Sequence, residues 1–122
     1  MATQSLRSYL ELEVSGPVAT VRFRGEQVLL DEATSHAVLG ELFGLADRPV
    51  FAELLLDFHN VEYLTSTTLG LLITLRKQLA AAGRDLRLRN LLPHIAEIFA
   101  ITRLDRLFDI HPAEPLVAAG VE

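Results

Sequence analysis

The sequence predicts an α/β domain, a mixed sheet with helices packed against it, formed by residues 1–122 as one unit. Three observations predict it. Apolar and polar residues alternate on both sides of Ser15-Gly16-Pro17, the pattern of two half-buried strands joined by a tight turn. From Asp31 the period changes to that of a helix, and "FAELLLDF" is then a short apolar run of the kind that forms a strand buried on both faces. The order of hairpin, helix, strand, helix, strand, helix calls for crossover connections back to one sheet.

Each element has its own reason. "YLELEVSGPVATVRF" is the hairpin. Asp31 is the natural N-cap of a first helix whose apolar face carries Val38, Leu39, Leu42 and Phe43. Gly40 and Gly44 inside it each cost roughly 1 kcal/mol against alanine, so either another backbone packs closely there or the helix is short. "FAELLLDF" is placed at the sheet centre. "TLGLLITLRKQLAAAG" is a second helix with Leu69, Leu72, Ile73, Leu79 and Ala80 on one face and Leu71 and Leu75 beside it, ending at Gly83. That wide arc is either plain core or partly an exposed patch. "DLRLRN" alternates Leu86 and Leu88 with Arg87 and Arg89 as a strand. "LPHIAEIFAI" is a third helix with Pro93 in its first turn and Ile95, Ile98 and Phe99 as its stripe. Leu104, Leu107, Phe108 and Ile110 return the chain to the core as a last short strand. In the tail, 112–122, "EPLVAAGV" has room for one or two helical turns.

Composition narrows the function. The chain of 122 residues is 50% apolar and 22% charged, the balance of a globular protein with a core, and its net charge of -5 argues against binding nucleic acid or an anionic membrane surface. No apolar run reaches the length of a membrane span and "MATQSLRSYL" lacks the pattern of a secretion signal, so a cytoplasmic location is expected. Without cysteine there is no disulfide, thiolate nucleophile or Cys-ligated zinc.

The unusual feature is "VEYLTSTTLG", four consecutive hydroxyl residues, Thr65, Ser66, Thr67 and Thr68, where the chain leaves the central strand and enters the second helix. In open α/β sheets that edge is where ligands and partners meet the fold. One cap position uses one or two of these hydroxyls, and Thr67 and Thr68 are mediocre helix formers, so some further use is expected. The positive end of the helix dipole tolerates an added anion there. Other polar groups carry weaker signals. His59 between Asp57 and Glu62 falls short of a metal-ligand set, and His36, His94 and His111 are dispersed. A Ser66, His59 and Asp57 triad lacks the nucleophile elbow and oxyanion motif it would need. Arg84, Arg87 and Arg89, and the pair Arg103 and Arg106, read mainly as surface charge, with partner contacts as the other possibility.

"LLLDFHNVEYLTSTTLGLLITLRKQLAAAGRDLRLRN", followed by "IAEIFAITRLDRLFDI", resembles a STAS domain of the anti-sigma factor antagonist type found in bacterial partner-switching systems. The likeness covers essentially the whole chain and is densest from Leu54 to Phe108. Family members have a loop reading Asp-Ser-Ser-Gly-Leu-Gly or close to it between an apolar strand and a helix. In "TSTTLG" Ser66 falls on the serine that a kinase phosphorylates, Thr67 on the hydroxyl after it, and Leu69 and Gly70 on the closing Leu-Gly. Thr65 stands where the family has an aspartate, Thr68 where it has a glycine, and Thr102-Arg103 where it has Ser-Gly.

The resemblance implies a STAS-like fold and a protein-binding module with no enzymatic activity, no cofactor and no metal. Unphosphorylated, it would bind an anti-sigma factor that is also a serine kinase, through Thr65, Ser66, Thr67, Thr68 and Leu69. Phosphorylation of Ser66, with Thr67 as the alternative acceptor, would release that partner, and a phosphatase would reset the switch. Two further readings stay open. One is a STAS scaffold or accessory subunit without phosphorylation, in a signalling assembly or beside a lipid transporter. The other is a sensor of a small ligand or nucleotide, using the second helix's N-terminus as an anion site.

Overall fold

The computed structural model describes residues 3–6, 9–47 and 51–112. In chain order these form β1 (Thr3–Leu6), β2 (Leu10–Ser15), β3 (Val18–Phe23), β4 (Val28–Leu30), α1 (Glu32–Ala46), β5 (Glu53–Asp57), β6 (Val61–Leu64), α2 (Ser66–Ala81), β7 (Asp85–Leu91), α3 (Pro93–Ile101), a 3₁₀ turn (Leu104–Arg106) and β8 (Asp109–Pro112). The predicted turns in "EPLVAAGV" lie outside the described residues.

Six strands share one sheet in the order β1-β2-β3-β5-β7-β8, and β4 pairs with β6 in a separate two-stranded ribbon. The hairpin is β2 and β3, antiparallel, with Gly16 at φ +59 in its turn, a left-handed conformation that a glycine takes without steric cost. β3, β5, β7 and β8 then run parallel, with α1, α2 and α3 lying in the connections between them. β5 is interior, as the sequence predicts, and the mixed α/β sheet is the one expected.

One side of the sheet carries Leu10, Leu12, Ala19, Val21, Leu54, Leu56, Leu86 and Leu88, all buried in one cluster with Leu39 and Leu42 of α1, Leu72, Leu75 and Leu79 of α2, and Ile95 and Phe99 of α3. The other side is ionic. Arg22, Asp57, Arg89 and His111 lie in register in one row across four strands. Arg22 bridges Glu13 and Asp57, and Arg87 bridges Glu53 and Asp109. β5 is therefore not apolar on both faces. On the ionic side of β5 Leu55 is the apolar residue, buried between Glu53 and Asp57 of its own strand and in register with Thr20 and Arg87. Three consecutive leucines imitate a doubly covered strand because a single one of them sits among ion-paired arginines.

α1 begins at its predicted cap, with the Asp31 carboxylate accepting from Thr34 N–H at 2.9 Å. The two expectations for its glycines both fail. α1 runs for 15 residues, and a methyl placed on Gly40 or Gly44 would meet nothing within 4 Å. Both glycines are exposed, on the solvent side of the helix. In α2 the buried stripe is Thr68, Leu72, Leu75 and Leu79; Leu69, Leu71 and Ile73 are half-buried against the core and Ala80 is exposed. The stripe is thus turned from the expected one, because Thr68 takes an inward position that an apolar pattern does not reveal. Leu104 and Leu107 pack from the 3₁₀ turn and its end, and only Ile110 of the expected last-strand residues lies in β8.

Candidate functional site

The four hydroxyls sit at the junction of β6 and α2, and β6 itself intervenes between the central strand and the helix, which the sequence left unread as a strand. Thr65 is the N-cap, with extended φ −115 and ψ 173. Its hydroxyl accepts from Thr68 N–H at 3.4 Å while Thr68 Oγ1 accepts from Thr65 N–H at 3.3 Å, a reciprocal capping box made by two threonines.

Thr68 does more than close the box. It is fully buried, as is Ser35 of α1, and the two hydroxyl oxygens are 2.5 Å apart. Thr68 Oγ1 lies 3.0 Å from the carbonyl oxygen of Leu30 in β4, and Ser35 Oγ lies 3.0 Å from the same carbonyl. A hydroxyl has one proton and two lone pairs, and two assignments satisfy every group. Either Ser35 donates to Thr68 and Thr68 to Leu30, or Thr68 donates to Ser35 and Ser35 to Leu30, and in both Thr68 accepts from the Thr65 N–H. The hydroxyl joins the N-termini of α1 and α2 to the end of β4, so Thr68 faces the interior and shapes the loop from behind.

Thr67 is half-buried and donates to a carboxylate oxygen of Glu32, the first residue of α1. Ser66 is exposed and makes no side-chain hydrogen bond to any described residue. Three of the four hydroxyls are therefore committed inside the chain, and Ser66 is the exposed one with no side-chain hydrogen bond among the described residues. Leu69 is half-buried behind it.

The surroundings are acidic. Glu32 reaches Thr67, and beside it the Asp31 carboxyl is held below the ordinary carboxylate range by its hydrogen bonds from Thr34, first the backbone N–H and then the side chain. The sequence did not single out Glu32 or Ser35 because each lies more than 30 residues from its partner in the chain.

The remaining candidates separate. Asp57 Oδ1 accepts from His59 N–H at 3.0 Å, His59 Nδ1 at 3.2 Å and Asn90 Nδ2 at 3.2 Å, so Asp57 and His59 meet, but Ser66 bonds to neither. Glu62 and His94 approach through the Glu62 carbonyl, to which His94 Nε2 donates at 2.7 Å. Among the described residues no three His, Cys, Asp or Glu side chains are grouped to hold a metal. Arg84 lies 5.0 Å over the Phe51 ring and Arg87 is ion-paired, so both have contacts within the chain. Arg103 takes the left-handed conformation, φ 65, just past α3, where the resembling sequences carry glycine. No helix among the described residues is long and apolar enough to cross a membrane.

This arrangement has known counterparts. The STAS domain family matches residues 9–116. A STAS-domain-containing protein of Pseudomonas aeruginosa is 35% identical over 54 residues, 44% of this chain and 54% of that protein, so the matched segment spans about half the length of that curated relative. Among solved structures, a STAS-domain anti-sigma-factor antagonist protein from Planctomyces limnophilus superposes with a TM-score of 0.74 at 15% identity, over 86% of this chain and 91% of that one. The anti-sigma factor antagonist SpoIIAA is similar in its unphosphorylated form, with a TM-score of 0.63 and 15% identity over 90% of this chain and 93% of that one. It is similar too in its phosphorylated form, from Bacillus, with a TM-score of 0.62 and 17% identity over 83% and 89%. At these identities the structures establish the fold, and the family match covers nearly the whole chain. The chain belongs to the STAS domain family.

Proposed function

We propose that this protein is an anti-sigma factor antagonist that works in the cytoplasm by partner switching. Unphosphorylated, the loop from Thr65 to Leu69 binds an anti-sigma factor with serine kinase activity. Phosphorylation of Ser66 releases that partner and a phosphatase restores binding. The protein carries out no chemistry of its own in this scheme. Its fold likeness to SpoIIAA supports the reading at the level of the family. The observation that carries it is the distribution of hydroxyls, since Ser66 is exposed and uncommitted while Thr65, Thr67 and Thr68 are spent on the cap, on Glu32 and on the buried bonds to Ser35 and Leu30. That ranking favours Ser66 over Thr67 as acceptor. A phosphate on Ser66 adds about −1.5 to −2 charges at an interface that must be desolvated to form, without displacing any intramolecular bond of this loop.

A second reading has one observation in its favour. Glu32 and Asp31 already place two carboxylates beside the loop, which raises the cost of a phosphate and suits a STAS scaffold that is never modified. Site-resolved mass spectrometry of the peptide spanning Thr65 to Thr68, on protein taken from its native cells through growth and stress, decides between them. Phosphate on Ser66 is the expected result. Its complete absence would leave the scaffold.

A further inference from the structure

Of the loop hydroxyls that are held, one is held differently from the others. Thr65 and Thr68 cap each other within one helical turn, and Thr68 is buried besides against Ser35 and the Leu30 carbonyl. Neither can be freed without unmaking the start of α2. Thr67 is held by a single side chain, the carboxylate of Glu32, in a bond that lies at the surface. Glu32 is exposed and opens α1 directly after its cap Asp31, whose own carboxylate is turned to the Thr34 N–H. Among the described residues Glu32 forms no ion pair, so no cation of the fold neutralises it.

That bond bears on where a phosphate can go. A phosphoryl group on Thr67 Oγ1 replaces the proton that Glu32 accepts, so the bond is lost and about −1.5 to −2 charges are set against a carboxylate. Thr67 is half-buried, which weakens the screening of that repulsion by water. Ser66 meets neither obstacle, since it is exposed and its hydroxyl is bonded to no described residue. Successive residues of a helix lie about 100° apart around its axis, so Thr67 can face α1 while its neighbour Ser66 does not.

We propose that Glu32 selects the modified hydroxyl: its carboxylate withholds Thr67 and leaves Ser66 as the acceptor in a row of four. The inference rests on the proposed phosphorylation of this loop and adds the residue that decides its position. In the transfer Ser66 Oγ attacks the γ-phosphorus of a nucleoside triphosphate held by the kinase. The bond from that phosphorus to the bridging oxygen breaks, the nucleoside diphosphate leaves, and the hydroxyl proton passes to a base of the kinase. The same attack by Thr67 requires its hydroxyl to leave Glu32 first. Glu32 acts through Thr67 and is therefore a positioning residue. A bond that merely tied α1 to α2 would, when cut, lower stability and leave the choice of hydroxyl untouched.

The test introduces Ser66→Ala, Glu32→Ala and Glu32→Gln, singly and with each Glu32 change paired to Ser66→Ala, into the native cells. Glu62→Ala, which removes an exposed carboxylate of β6, is the control. Site-resolved mass spectrometry reads phosphate on Ser66 and Thr67, and thermal unfolding of each purified variant shows that it is folded. Expected is phosphate on Ser66 in the wild type and at most a trace on Thr67 in Ser66→Ala. Pairing Ser66→Ala with Glu32→Ala raises phosphate on Thr67 about tenfold or more, equivalent to about 1.4 kcal/mol. Glu32→Gln keeps an acceptor for the Thr67 proton without the charge, and its pair falls between. Glu62→Ala paired with Ser66→Ala leaves Thr67 as it was. Three results would overturn the inference while the switch at Ser66 stands: ready phosphorylation of Thr67 in Ser66→Ala with Glu32 intact, an equal rise with Glu62→Ala, or no rise in either Glu32 pair. Loss of Thr67 phosphate on Glu32→Ala would make Glu32 a base that readies Thr67, the reverse of the proposal. No phosphate on either hydroxyl in any strain, the wild type included, removes the switch and this inference together.

Discussion

The hydroxyl of Thr67 donates to the carboxylate of Glu32, joining the first turn of α2 to the first turn of α1 across 35 residues of sequence. That bond separates the two adjacent acceptor candidates by their tolerance of charge. Ser66→Asp places a carboxylate on an exposed helix N-terminus, which is neutral or favourable by about 0.3–1 kcal/mol. Thr67→Asp loses a charge-assisted hydrogen bond and sets two carboxylates together, and is expected to cost about 1–2 kcal/mol. Urea unfolding of both variants measures the difference, and equal stabilities would remove the physical preference for Ser66.

Removal of the buried hydroxyl should be felt far more than removal of an exposed one. Thr68→Val leaves the Thr65 N–H without its side-chain acceptor and removes the buried hydroxyl bonded to Ser35 and to the Leu30 carbonyl, and is expected to destabilise by about 1–3 kcal/mol. Combined with Ser35→Ala it should be less than additive by about 0.5 kcal/mol or more, because the two hydroxyls share one network. A strictly additive double-mutant cycle would mean that they do not.

The solvent-facing glycines of α1 leave stability unclaimed. Gly40→Ala meets no atom within 4 Å and should stabilise by about 0.5–1 kcal/mol through helix propensity alone. Circular-dichroism melting reads this directly, and a lower midpoint would show that the position is not free.

Arg103 at φ 65 is the opposite case, a side chain in a conformation suited to glycine. A left-handed residue costs roughly 1–2 kcal/mol, part of which glycine returns as unfolded-state entropy. Arg103→Gly is therefore expected to raise stability by about 0.5–1 kcal/mol, seen as a melting midpoint a few degrees higher. A fall would mean that the arginine side chain contributes more than its backbone costs.

The acid limb of stability should depend on Asp31. Its folded pKa lies below the unfolded value of about 3.9, so its contribution is complete above that value and is lost as pH falls through the lower, folded one. Asp31→Asn keeps a side-chain cap without the titration, and its stability should decline less steeply between about pH 5 and about pH 2. Parallel acid limbs for the two proteins would contradict this.

Much of this molecule is legible from local patterns. The alternation in β2 and β3, the Asp31 cap, Pro93 at the start of α3 and Gly83 after α2 each state their element within a few residues. What escaped is what depends on distant residues. β4 has three residues and β6 hides its period behind the bulge at Glu62, so neither reads as a strand alone. The row of hydroxyls was visible, and the reason that three of them are occupied was not. Thr65 could be read as a cap, but the roles of Thr67 and Thr68 are set by Glu32, Ser35 and the Leu30 carbonyl, which only the tertiary fold brings to them.

The convergence of Ser35 and Thr68 on Leu30 also orders events in time. The bond of Ser35 to Leu30 is local, but those of Thr68 to Ser35 and to Leu30 span a crossover, and parallel pairing of β4 with β6 must close a loop of about thirty residues before either can form. α1 can nucleate early from its own cap, whereas the loop holding Ser66 acquires its shape only when both helices and the ribbon have come together. An enzyme that recognises this loop by its shape therefore acts on finished chains and passes over nascent or unfolded ones, so that a mark on Ser66 would count the protein that has completed folding.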